Sequence, residues 1–117
     1  MTFSRYKVER KFVRYSLDVR AKVISGEEEI RVRTLDISEG RVGLVSPVEI
    51  LKRDSLVVEF EFPTSEGVFR AEVGAQSRVG FRYGFSFVEV DESSMALLRK
   101  YQRRWGVLAK ENYAARD

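Results

Sequence analysis

Beyond residue 14, apolar and polar positions alternate with period two through most of the chain. Leu17, Val19, Ala21 and Val23 fall on one face while Asp18, Arg20 and Lys22 fall on the other, the pattern of a half-buried strand. Ser25-Gly26-Glu27 supplies turn residues, and residues 30–37 return as a second strand. Residues 42–46 form a third, ended by Pro47. Leu56, Val58, Phe60 and Phe62 alternate with Val57, Glu59 and Glu61 in a fourth, and Pro63-Thr64-Ser65-Glu66-Gly67 reads as a hairpin loop. The fifth strand presents Phe69, Ala71, Val73 and Ala75, and the sixth presents Phe81, Tyr83, Phe85 and Phe87. Six short strands divided by turn signals predict an all-β, antiparallel barrel or sandwich, which limits exposed edges by closing on itself.

The period changes after Asp91. Met95, Leu98, Tyr101 or Gln102, and Trp105 recur at helical spacing, with Asp91 or Ser93 placed to cap the first turn. Gly106 is expected to end or bend this helix, and residues 107–117 to add a turn or two or to trail as a tail. The chain thus divides into a flexible N-terminal segment, 1–14, and a barrel with helix and tail, 15–117.

Composition narrows the function. A chain of 117 residues, 44% apolar and 33% charged, suits one globular domain with its own core. No apolar run approaches bilayer length and no secretory signal opens the chain, so a cytoplasmic location is expected. The sequence has no cysteine and no histidine, which removes disulfides, thiol nucleophiles, the commonest general base and the commonest metal-binding nitrogen. No enzyme activity, cofactor or metal is expected, and binding is favoured over catalysis. The net charge of +3 attracts an anion only where basic residues cluster. They cluster at Arg5, Lys7, Arg10, Lys11 and Arg14, and again at Arg99, Lys100, Arg103 and Arg104. The second group reads as a solvated helix face; Glu27-Glu28-Glu29 reads as a polar hairpin tip without calcium-loop spacing.

Two polar clusters carry the remaining chemistry. Arg10 and Arg14 lie four apart, ahead of the first strand. A guanidinium donates paired hydrogen bonds to phosphate, stacks on purines, and donates to guanine O6 and N7. Asp36-Ile37-Ser38-Glu39-Gly40 follows the second strand. Asp36 can accept from guanine N–H groups, Ser38 can contact phosphate or base, and Gly40 permits close backbone approach or positive φ. Either cluster alone is more often an ordinary solvated face or a turn bonded to its own backbone. Their order and their placement around the first two strands set them apart.

On those residues the chain resembles the PilZ domain family, bacterial receptors for cyclic di-GMP. The family's Arg-x-x-x-Arg motif corresponds to Arg10 and Arg14, and its Asp/Asn-x-Ser-x-x-Gly motif to Asp36 through Arg41. RYGFSFVEVDESSMALLRKYQ is similar to the family's last strand running into its C-terminal helix. The resemblance implies a six-stranded antiparallel PilZ-type β-barrel with a C-terminal α-helix. It implies a non-enzymatic cyclic di-GMP receptor that relays the signal to a separate protein, with Arg10, Arg14, Asp36, Ser38, Gly40 and Arg41 as ligand-binding residues. No DNA or RNA partner and no membrane insertion are expected. Arg41 stands where the family has glycine. If that position needs positive φ, a side chain there costs roughly 1–2 kcal/mol, about tenfold in affinity; if not, Arg41 adds a phosphate contact while Gly40 absorbs the turn. Two alternatives stand beside this reading: a PilZ-fold adaptor acting only through protein contacts, and, last, a basic barrel binding single-stranded nucleic acid.

Overall fold

The structure, a computed structural model, describes residues 13–51, 55–63 and 65–116. Its elements in chain order are β1 (Tyr15–Ser16), β2 (Arg20–Ser25), β3 (Glu28–Ile37), β4 (Arg41–Val45), β5 (Leu56–Phe60), β6 (Phe69–Val79), β7 (Arg82–Val90) and α1 (Glu92–Arg116). All strand pairs are antiparallel, and β3 pairs with both β2 and β4. The ring β2-β3-β4-β7-β6-β5 therefore closes, the six-stranded barrel expected from the alternation. β1 lies in line with β2 along the same side of β3.

The first strand departs from its expected course at residues 17–19, where the pairing breaks between β1 and β2. Leu17 is buried there, and Thr34 fills the gap: its hydroxyl donates to the Leu17 carbonyl at 2.6 Å and accepts from the Val19 amide at 2.9 Å. The inward faces of the strands form one core containing Val23, Val42, Leu44, Val58, Phe69 and Phe85, each fully enclosed. Phe60 stacks on Phe69 at 4.8 Å between ring centroids, and Phe62 meets Phe60 edge-on at 5.1 Å.

Phe81 does not join that core, contrary to the alternation. It occupies the two-residue connection between β6 and β7 with Gly80, whose φ of 61° supplies the left-handed residue such a tight hairpin requires. Its ring is 60% exposed, because the turn ends the strand period one residue before it would reach the interior.

The helix begins as expected. Asp91 accepts from the Ser94 amide at 2.7 Å and from the Ser93 hydroxyl at 3.0 Å. These bonds, the Ser94 amide foremost, hold its carboxyl below the ordinary carboxylate pKa. Leu98 is completely buried against the barrel, and Tyr101 stacks on Phe62 at 4.9 Å. The Tyr101 hydroxyl and the Trp105 indole both donate to the Ser16 carbonyl, at 2.5 and 3.1 Å. Gly106 does not end the helix, which runs on to Arg116. A helical glycine costs only about 1 kcal/mol, and the alanine, leucine, lysine and glutamate that follow are strong helix formers.

Candidate functional site

The second polar cluster sits where β3 changes phase. Val32 and Thr34 point inward, and strict alternation would send Asp36 into the core and Ile37 to solvent. Pairing with β4 instead slips by one residue between Thr34 and Asp36, leaving Leu35 as the extra residue of a β-bulge. Ile37 becomes fully buried and Asp36 reaches the outer face. An unpaired carboxylate is avoided inside the barrel and made available outside it.

Ser38 closes the β3–β4 connection. Its amide donates to the Arg41 carbonyl at 2.9 Å, and its hydroxyl oxygen accepts from the Gly40 and Arg41 amides, each at 3.2 Å. The residue is buried, so its acceptor capacity is spent on the turn and its O–H remains as a donor. Gly40 is not among the positive-φ glycines, which are Gly26, Gly67 and Gly80; its carbonyl accepts from the Phe87 amide at 2.9 Å. Arg41 opens β4 as an ordinary strand residue paired with Ser86. The backbone penalty attached to a non-glycine residue there does not arise.

Around Asp36 the sheet registers a single row across the outer face. Ser16 pairs with Asp36, Asp36 with Gly43, Gly43 with Gly84, and Gly84 with Ser77. Its middle is bare backbone. A Cβ on Gly43 would stand 2.5 Å from Asp36 Oδ1, and one on Gly84 would collide with the Arg41 guanidinium. Arg41 lies over Gly84 and donates from Nη2 to Ser77 Oγ at 3.2 Å. Arg14 is exposed and immediately precedes Tyr15, whose cross-strand partner is Ile37. Arg10 lies outside the described residues, as does most of the segment 1–14. The structure thus brings Arg14, Asp36, Ser38, Gly40 and Arg41 to one edge of the barrel.

Sequence reasoning missed Gly43, Gly84 and Ser77, whose proximity depends on strand register. It also missed Glu39, which accepts from Arg99 of α1 at 3.4 Å and so ties the helix to the turn. The other members of that basic helix group, Lys100, Arg103 and Arg104, are exposed.

An open concavity of about 1090 Å³ lies elsewhere, over β2, β3 and β5. Its charges are mixed: Lys22 pairs with Glu29 at 3.8 Å, and Arg33 with Asp18 at 2.6 Å. It contains neither motif. Among the described residues no carboxylate cluster is arranged to hold a metal, and no helix is long and apolar enough to cross a membrane.

Comparison with known proteins bears on the family and the fold. The sequence profile described as PilZ domain matches residues 9–103. Among solved structures, the chain is similar to the inhibitor of motility MotI/DgrA of Bacillus subtilis, with TM-score 0.62 and 23% identity, over 81% of this chain and 50% of that one. It therefore spans half the length of that protein. It is also similar to the PilZ domain with c-di-GMP of YcgR from Escherichia coli, with TM-score 0.61 and 20% identity, over 90% of this chain and 97% of that one. A search of curated protein sequences found no match.

Proposed function

The chain belongs to the PilZ domain family, and from that premise we propose that it is a non-enzymatic receptor for cyclic di-GMP that relays the signal to a separate protein. The observation that carries this reading is the bulge at Leu35, which turns Asp36 outward beside the bare glycine row and within one connection of Arg14 and Arg41. Asp36 accepts from guanine N–H groups, and Arg14, with Arg10 ahead of it, supplies the forks that grip phosphate and stack on the base. Ser38 and Gly40 keep the connection tight, so that Asp36 and Arg41 are presented at fixed positions. Engagement of Arg10 and Arg14 with the ligand would alter the surface offered to a partner. The similar YcgR barrel, whose structure is described as with c-di-GMP, supports the choice of ligand. The absence of histidine and cysteine from the sequence supports a binding role over catalysis.

Calorimetric titration tests the reading: a saturable heat with cyclic di-GMP is expected, and folded protein giving none would refute it. One observation favours a second reading. Arg41 already covers Gly84, so the row is partly occupied without any ligand. If Arg41 there keeps the base off the row, the chain is a PilZ-fold adaptor whose partners, captured with and without nucleotide, do not change.

A further inference from the structure

Arg41 is held in place by two residues of other strands. Ser77 on β6 accepts its Nη2–H at 3.2 Å, and a Cβ at position 84 on β7 would collide with the guanidinium, so Gly84 leaves it room. Gly43 does the same for Asp36. Gly43 and Gly84 are direct cross-strand partners, so the carboxylate and the guanidinium stand over positions one strand apart, about 4.7–4.9 Å. Among the described residues no carboxylate lies within ion-pair range of Arg41. A guanidinium carries five N–H donors, and Ser77 uses one.

An acceptor and a multiple donor at that separation match one edge of one base. On guanine, N1–H and N2–H donate at one end of the pairing edge and O6 accepts at the other, roughly 4–5 Å away. Building on the cyclic di-GMP reading, we propose that Arg41 is a specificity-determining residue, parked by Ser77 over Gly84 so that it donates to O6 of the guanine whose N1–H and N2–H Asp36 accepts. Adenine is rejected twice. Its amino group meets the Arg41 donors, and its bare N1 meets the Asp36 carboxylate. Ser77 is a positioning residue, and Gly84 the space that lets Arg41 settle. The arginine in place of the family glycine is then a reading group for the base.

The test titrates wild type and the variants Arg41→Ala, Arg41→Lys, Ser77→Ala and Gly84→Ala with cyclic di-GMP and cyclic di-AMP, folding being checked by circular dichroism. Wild type is expected to prefer cyclic di-GMP. Arg41→Ala is expected to weaken cyclic di-GMP about tenfold or more and to strengthen cyclic di-AMP, because one of the two clashes that reject adenine is removed. Arg41→Lys, which keeps the charge without the fork, and Gly84→Ala, which displaces an intact Arg41, are expected to weaken it as well, with Ser77→Ala losing less. Unchanged cyclic di-GMP affinity in Arg41→Ala, full recovery in Arg41→Lys, or equal loss for both dinucleotides overturns the proposal and leaves the receptor reading standing. Wild type that binds neither dinucleotide overturns both.

Discussion

Thr34 and Ser38 hold two of the places where the sheet's alternation fails, and both do it with a buried hydroxyl. Thr34 bridges the break between β1 and β2 through Leu17 and Val19; Ser38 binds two amides of the β3–β4 connection. Thr34→Val keeps the shape and removes both hydrogen bonds, leaving buried groups unpaired, so a loss of about 1–3 kcal/mol is expected in urea denaturation. Ser38→Ala should lose about 1 kcal/mol on the same measurement and also weaken ligand, because Asp36 and Arg41 flank the loosened turn. These roles were only partly legible. Thr34 falls on the inward phase of residues 30–34 and passes for a core filler. Ser38 reads as a ligand contact, while its second role, accepting from two amides of the turn, is not legible in the sequence. The change of apolar phase from Ile30 and Val32 to Leu35 and Ile37 is written in the sequence, and it is the signal from which the bulge could have been inferred.

At the scale of elements, the strands were legible because their inward faces repeat every second residue, and the helix because Asp91 and the Met95–Leu98 spacing mark its start. The ends were less so. Phe81 keeps the period of β7 but lies in a turn dictated by Gly80, and Gly106 looks like a stop although the helix continues. Leu98 is the apolar anchor of α1, and Leu98→Ala is expected to cost about 2–5 kcal/mol by thermal or urea unfolding. The Asp91 cap gives a pH dependence. Its carboxyl ionises more readily folded than unfolded, so the cap's contribution is complete above the ordinary carboxylate pKa and is lost as pH falls through the lowered folded value. Asp91→Asn keeps a good capping residue and removes that titration, so its melting temperature should fall less steeply on acidification than that of wild type. Identical acid profiles for the two proteins would contradict this role.

For the whole molecule, closure of six strands and the docking of α1 follow from pattern, while the row joining Asp36, Gly43, Gly84 and Ser77 follows only from register. No local pattern reveals which strands become neighbours across a barrel, so the glycine floor lay beyond sequence reading even though both motifs were visible. Not every exposed feature contributes to stability. Val79 and Phe81 are 80% and 60% exposed at the β6–β7 tip, and replacing either with serine should change stability by no more than about 0.5 kcal/mol.

The central claim is that the edge carrying Arg14 and Asp36 binds cyclic di-GMP. Paired calorimetric titrations of wild type and Arg14→Ala, each shown by circular dichroism to be folded, test it most directly. The expected result is saturable binding by wild type and its loss in Arg14→Ala with the barrel intact. Absence of heat from folded wild type up to high micromolar ligand, or equal affinity in the two proteins, would contradict the account.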